Sequence, residues 1–198
     1  MHSLSTQFRT HTVHKEYVAL AYGTPHPLTG RIDTLIGRHL YNRKKMSVRE
    51  PPKSRDPDRP PLTGGRPAIT EYRVEESFPL ASRIRLTIKT GRTHQIRVHL
   101  AHIGHPVIAD SVYGGRRQSL RLQELLRTIG LLPPLPDGAD PAAEAGLPLP
   151  ITRQMLHAEV LGFLHPRQKQ LVTFTSPLPA DMQRLLEALR TRRAQASG

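Results

Sequence analysis

Between residues 83 and 106 the spacing of apolar side chains changes period, and the change marks two elements. Ile84, Leu86 and Ile88 alternate with Arg83, Arg85, Thr87 and Lys89, the period of a half-buried strand. Gly91 breaks the alternation, and Ile96, Leu100 and Ile103 then recur at helical spacing. Thr93 is suited to cap the new helix, Gly104 can close it, and Pro106 prevents its continuation. The stretch is predicted as strand, tight turn, helix. Arg92, Thr93 and His94 thereby fall at a helix N-terminus, where free amides and the dipole favour an anion such as phosphate. Arg97 adds a fixed charge one turn further in.

The rest of the chain reads in outline. Leu4 to Phe8 form the tail of a helix. A strand around Tyr17 sets Tyr17, Ala19 and Ala21 on one face and Val18, Leu20 and Tyr22 on the other. Tyr72 and Val74 belong to a further strand. Residues 116–127 form a helix with Leu120, Leu122, Leu125 and Leu126 as its apolar side. Ala158 to Phe163 and Leu171 to Phe174 form a hairpin turning through His165, Pro166 and Arg167. Pro179 starts a last helix with Met182, Leu185, Leu186 and Leu189 on one face. Residues 50–67 and 133–150, rich in proline and glycine, are expected to be flexible loops. Strands and helices mixed without strict alternation predict an α+β fold with a mixed, largely antiparallel sheet.

Composition narrows the function classes. A chain of 198 residues suits one domain, 1–198, or most of one. The net charge of +13 and pI near 11.0 favour a polyanionic partner, although a generally arginine-rich surface would give the same values. With no cysteine there is no disulfide framework and no thiolate chemistry. No apolar run reaches membrane-spanning length and no signal peptide is evident, so the expected location is cytoplasmic. There is no Walker-type loop and no dinucleotide fingerprint. His94, His99, His102 and His105 crowd one segment, and His99 and His102, a helical turn apart, could share a metal. Without cysteine and with few nearby carboxylates, no metal is assigned.

The wording of the motifs adds a resemblance. Gly91-Arg-Thr-His-Gln-Ile-Arg-Val-His-Leu100 is followed by Ile103-Gly-His-Pro106 and by Ala109-Asp110 with Tyr113-Gly114. Upstream stand Lys15-Glu-Tyr17-Val-Ala-Leu20, Gly30-Arg-Ile-Asp33, Ile36-Gly-Arg38 and Arg43-Lys-Lys-Met46. Downstream are Arg153-Gln-Met-Leu-His-Ala158, His165-Pro166 and Ser176-Pro-Leu-Pro179. In this order they resemble the RluA-type pseudouridine synthase family over nearly the whole chain.

The resemblance implies isomerisation of uridine to pseudouridine in structured RNA, ribosomal or transfer RNA, by a monomer without a cofactor. It implies that Tyr17 offers a ring face to the flipped base and a hydroxyl near C5. Without the flanking motif, Tyr17 would read as an ordinary cross-strand core tyrosine. It implies that Arg97 pairs with the catalytic aspartate and holds it ionised. Arg38, Lys44, Lys45 and Arg92, with Thr93 and His94, are expected to contact RNA phosphates, although any of the cations could be an ordinary solvated charge.

One part of the family pattern is missing. Its catalytic aspartate stands in a His-Arg-Leu-Asp segment followed by Thr-Ser-Gly, upstream of the tyrosine strand, and in this numbering that segment would be expected before residue 1. Asp33 follows the Tyr17 strand and lacks that context. Asp110 occupies the family's Gly-Asp position, with Ala109 in place of the usual glycine. Neither is assigned as catalyst. The expectation is therefore an N-terminally incomplete catalytic domain, inactive on its own, with a cleft between Tyr17 and Arg97. Arg97 should be exposed or paired elsewhere, and the sheet should have an open apolar edge. The other reading is a catalytically inactive RNA-binding remnant.

Overall fold

The computed structural model describes residues 4–49, 65–115, 118–136, 138 and 150–196. Helix α1 (Leu4–Arg9) leads into β1 (His14–Tyr22), followed by β2 (Thr29–Arg38) and β3 (Met46–Arg49). Next come β4 (Arg66–Ser77), β5 (Ala81–Ile88), α2 (Gln95–His102) and α3 (Gln118–Thr128). The C-terminal part holds β6 (Leu156–Leu164), β7 (Leu171–Thr175) and α4 (Ala180–Ala196). The seven strands make one sheet in the order β3-β2-β4-β5-β1-β6-β7, and every pairing is antiparallel. The class is α+β, as the unordered mix of strand and helix patterns predicts.

Register explains where the helices lie. Across the sheet Tyr17 faces Leu86 and Leu86 faces Tyr72, and Thr70 follows on the same face of β4. Thr70 bonds His99, so α2 covers that face. On the opposite face Glu76 is paired with Arg83 and bonds Arg190 of α4, while the Arg121 guanidinium of α3 lies over Tyr22. The sheet is thus sandwiched, and β1 is buried from Val18 to Tyr22 on both faces. The main core joins these strand residues to Ile96 and Leu100, to Leu122, Leu125 and Leu126, and to Met182, Leu185, Leu186 and Leu189.

The structure departs from expectation at three elements. β4 begins at Arg66, with Pro67 paired to Leu35, inside the segment expected to be a loop; the remainder of 50–67 lies outside the described residues. Most of 133–150 also lies outside them. The β2–β3 hairpin had no expected strand, because glycines and exposed polar residues interrupt its alternation: only Ile32, Ile36 and Gly37 are buried in β2. Among the described residues the sheet ends at β3 and at β7. β7 is the apolar one, with Leu171 at 73% and Phe174 at 56% exposure. The Tyr17 strand is flanked on both sides, by β5 and β6.

Candidate active site

The turn before α2 is built by glutamine rather than threonine. The N-cap residue is His94, in the left-handed region at φ 57, and its side chain makes no cap bond. Thr93, expected to cap, is exposed. The order comes from buried Gln95, whose Oε1 accepts from the Arg92 N–H (3.0 Å) and the Thr90 hydroxyl (2.8 Å). Its amide in turn donates to the Ile69 carbonyl at 2.9 Å. The long Gln95 side chain thus reaches back to fasten the turn that precedes the helix.

Arg97 projects from this helix onto Asp110. Its Nε donates to Oδ2 at 2.7 Å and its Nη2 to Oδ1 at 2.8 Å, a bidentate pair with a fully buried carboxylate. Asp110 also accepts from the backbone N–H groups of Val112 and Tyr113, each at 2.9 Å. Burial pushes the Asp110 carboxyl up, but the Arg97 and backbone hydrogen bonds and the Arg97 charge outweigh it, so the group sits below its ordinary range. The 110–113 turn needs Gly114, where a Cβ would lie 2.7 Å from the Asp110 carbonyl oxygen.

Tyr113 closes the cluster. Its ring lies under the Arg97 guanidinium at 5.1 Å. Its hydroxyl accepts from the Met46 N–H at 2.8 Å and stands 3.0 Å from His94 Nδ1. Met46 begins β3, so one hydroxyl joins the β2–β3 hairpin to the start of α2. A small apolar cluster of Ile36, Ala68 and Val98, backed by Met46, Val48 and Tyr113, packs behind that joint. Burial, and then the Arg97 charge, lower the pKa of His94.

Of the residues predicted from sequence, His94, Arg97 and the base of the hairpin are brought together, and Arg97 is paired elsewhere, as expected. Arg38 and Lys44 are exposed and Lys45 is half-buried, all around the hairpin turn. Arg92 donates through Nε to the Pro67 carbonyl. Tyr17 is half-buried on the α2 side of the sheet, and burial raises the pKa of its hydroxyl. Its neighbour Lys15 approaches Gly91, 3.7 Å from where a Cβ would stand. Among the described residues, the contacts that hold Arg97 come from Asp110 and Tyr113, not from Tyr17. Asp33 is exposed and pairs with Arg31 at 2.9 Å.

The histidines do not converge. His99, buried, has Nδ1 2.8 Å from the Thr70 hydroxyl and Nε2 2.9 Å from that of Thr34, so it is not free to share an ion with His102. His105 Nδ1 is 3.0 Å from the Tyr22 carbonyl. The sequence reading missed Tyr113 and the role of Asp110 as Arg97's partner. The signal was present in the spacing of Asp110, Tyr113 and Gly114, but only the fold shows that this turn meets α2.

A family model described as RNA pseudouridylate synthase matches residues 1–102, more than half of the chain. The chain belongs to this family. Its RluA-type character is supported by relatives named ribosomal large subunit pseudouridine synthase D. The chain is 36% identical over 195 residues to the one from Xanthomonas campestris, covering 98% of this chain and 50% of the relative. It is 39% identical over 192 residues to an "Uncharacterized RNA pseudouridine synthase" of Chloroflexus aurantiacus, covering 97% of this chain and 47% of the relative. The chain therefore spans about half the length of the curated relatives it matches. Among solved structures, Human RNA Pseudouridylate Synthase Domain Containing 4 superposes with a TM-score of 0.69 at 25% identity, over 96% of this chain and 67% of that one. The pseudouridylate synthase match takes in β1 with Tyr17 and the whole of α2 with Arg97.

Proposed function

We propose that this chain is the major part of a catalytic domain that isomerises uridine to pseudouridine in structured RNA, with ribosomal RNA as the first candidate substrate. The observation that carries the proposal is the family match over β1 and α2. The names of the large-subunit relatives favour ribosomal over transfer RNA. The reaction breaks the N1–C1′ bond, turns the uracil and joins C5 to C1′; the C5 proton leaves and N1 regains one. Those bond changes require no cofactor.

Within that reaction Tyr17 supplies a ring face for the base and sets its hydroxyl oxygen near C5, where the proton leaves once C5 is joined to C1′. Arg97 has five N–H donors, of which the bidentate contact to Asp110 uses only some, and the remainder are available to a second carboxylate. Asp110 positions Arg97, and Asp33 is committed to the surface. The carboxylate that attacks is neither of them. Arg38, Lys44, Lys45 and Arg92, with Thr93 and His94, hold phosphates beside the site.

The test assays this chain beside a form extended upstream to an in-frame His-Arg-Leu-Asp segment, on bulk RNA, with a chemical readout for pseudouridine. Turnover by the extended form alone is expected. Turnover by the short form that Asp33→Ala abolishes would overturn the exclusion of Asp33. Binding of RNA without pseudouridine from either form would make the domain an RNA-binding remnant.

A further inference from the structure

The turn between β2 and β3 carries the most exposed large apolar side chain among the described residues, Tyr41, at 92% exposure. An aromatic ring left in water at the tip of a hairpin is accessible to a flat partner. The turn beneath it is ordered. His39 Nδ1 accepts from the N–H groups of Tyr41 and Asn42, each at 3.2 Å, and Asn42 Oδ1 accepts from the Lys44 N–H at 3.0 Å. The Lys45 N–H donates to the Asn42 carbonyl and the His39 N–H to that of Lys45. The His39 ring meets Tyr41 edge-on at 6.3 Å. Little backbone freedom remains to be lost when the ring is covered.

Charge says what covers it. From residue 38 to 45 the turn holds Arg38, Arg43, Lys44 and Lys45 and no acid. The centre of a protein interface is depleted of charge, so a ring on a turn with four cations and no acid fits a protein partner poorly. Cations beside an open aromatic are the composition of a surface that binds single-stranded nucleic acid, phosphates to the cations and a base to the ring. We propose that Tyr41 is a stacking platform for an unpaired base, through which the hairpin selects RNA loops and single strands over duplex. The inference rests on the reading that this hairpin faces RNA. It adds a second base contact, on the hairpin tip, separate from the Tyr17 face of the sheet.

The experiment compares an unpaired RNA and a duplex of equal phosphate number. Tyr41→Ala should weaken binding of the unpaired RNA about ten-fold and leave the duplex unchanged, with an unaltered salt slope. Lys44→Ala with Lys45→Ala should instead flatten the slope for both RNAs. The chain has no tryptophan, so Tyr41→Trp introduces a single tryptophan, whose emission, excited beyond the absorption of the remaining tyrosines, should be quenched by the unpaired RNA alone while affinity is retained. An unchanged slope in the lysine variant, or no RNA binding by the parent chain, overturns the underlying reading. A flattened slope with equal effects of Tyr41→Ala on both RNAs, or no quenching, overturns the stacking proposal alone. Matching thermal transitions of the variants and the parent exclude misfolding.

Discussion

Ala109 sits at φ 58, where an L side chain crowds the following carbonyl oxygen, directly before the aspartate that anchors Arg97. A left-handed alanine costs about 1–2 kcal/mol, and glycine there would give back roughly 0.5–1 kcal/mol of it through its greater freedom in the unfolded chain. Ala109→Gly is therefore expected to stabilise the fold by about 0.5–1 kcal/mol. Urea unfolding checks this as a raised midpoint with the same slope. The replacement of a usual glycine was legible in the resemblance, but the torsion angle that makes it costly was not. His99 teaches the converse. Its position a turn before His102 suggested a shared metal, yet its partners Thr34 and Thr70 stand 65 and 29 residues away, on strands no local spacing connects to it.

At the level of elements, Arg85 of β5 ties together four strands. It donates to Glu16 of β1, Glu75 of β4 and Glu159 of β6, all mostly buried. Hydrogen bonding to Glu75 is the main reason its guanidinium pKa is raised. Arg85→Met should remove the cation that Glu16, Glu75 and Glu159 share, leaving Glu75 to Arg83 and Arg73, and cost on the order of 2 kcal/mol. The check is a double-mutant comparison with Glu75→Gln, which should recover part of the loss. Strong periodicity made α3, α4 and β5 legible in advance, because each buries one regular face, whereas β1, buried on both faces from Val18, and the exposed β7 were legible as short runs of strand-forming residues. β2 and β3 were not legible. Their place is set by pairing with β4 and by the Tyr113 hydroxyl at Met46, contacts that lie outside their own sequence.

For the whole molecule, buried histidine links stability to pH. Burial, and then the charge of His102, depress the pKa of His99 from 6.5 to about 4. The folded state thus keeps this ring neutral while the unfolded chain takes up a proton, so stability is fully present above 6.5 and falls as pH drops toward 4. The shift corresponds to a loss of about 3 kcal/mol across that window. Urea midpoints measured between pH 7 and 4 should decline accordingly, and His99→Gln should flatten the decline. An equal slope in the variant would place the proton uptake on other groups. The cationic character of the chain was legible from composition alone, whereas this acid sensitivity depends on which histidine the fold encloses.

The place of β1 in the sheet has a consequence for how the chain is made. Its neighbours are β5 and β6, and the Gln7 side chain just upstream bonds the main chain of Leu164, 157 residues away. A ribosome delivering this polypeptide releases Val18 to Tyr22, the most apolar run of the early sequence, long before β6 exists to cover its second side. Loop closure over that separation is slow, and the nascent strand waits with its backbone groups unmatched. The stretch from 14 to 22 is consequently where a chaperone has most to shield, and where synthesis at high level is most prone to end in aggregates rather than in this sheet.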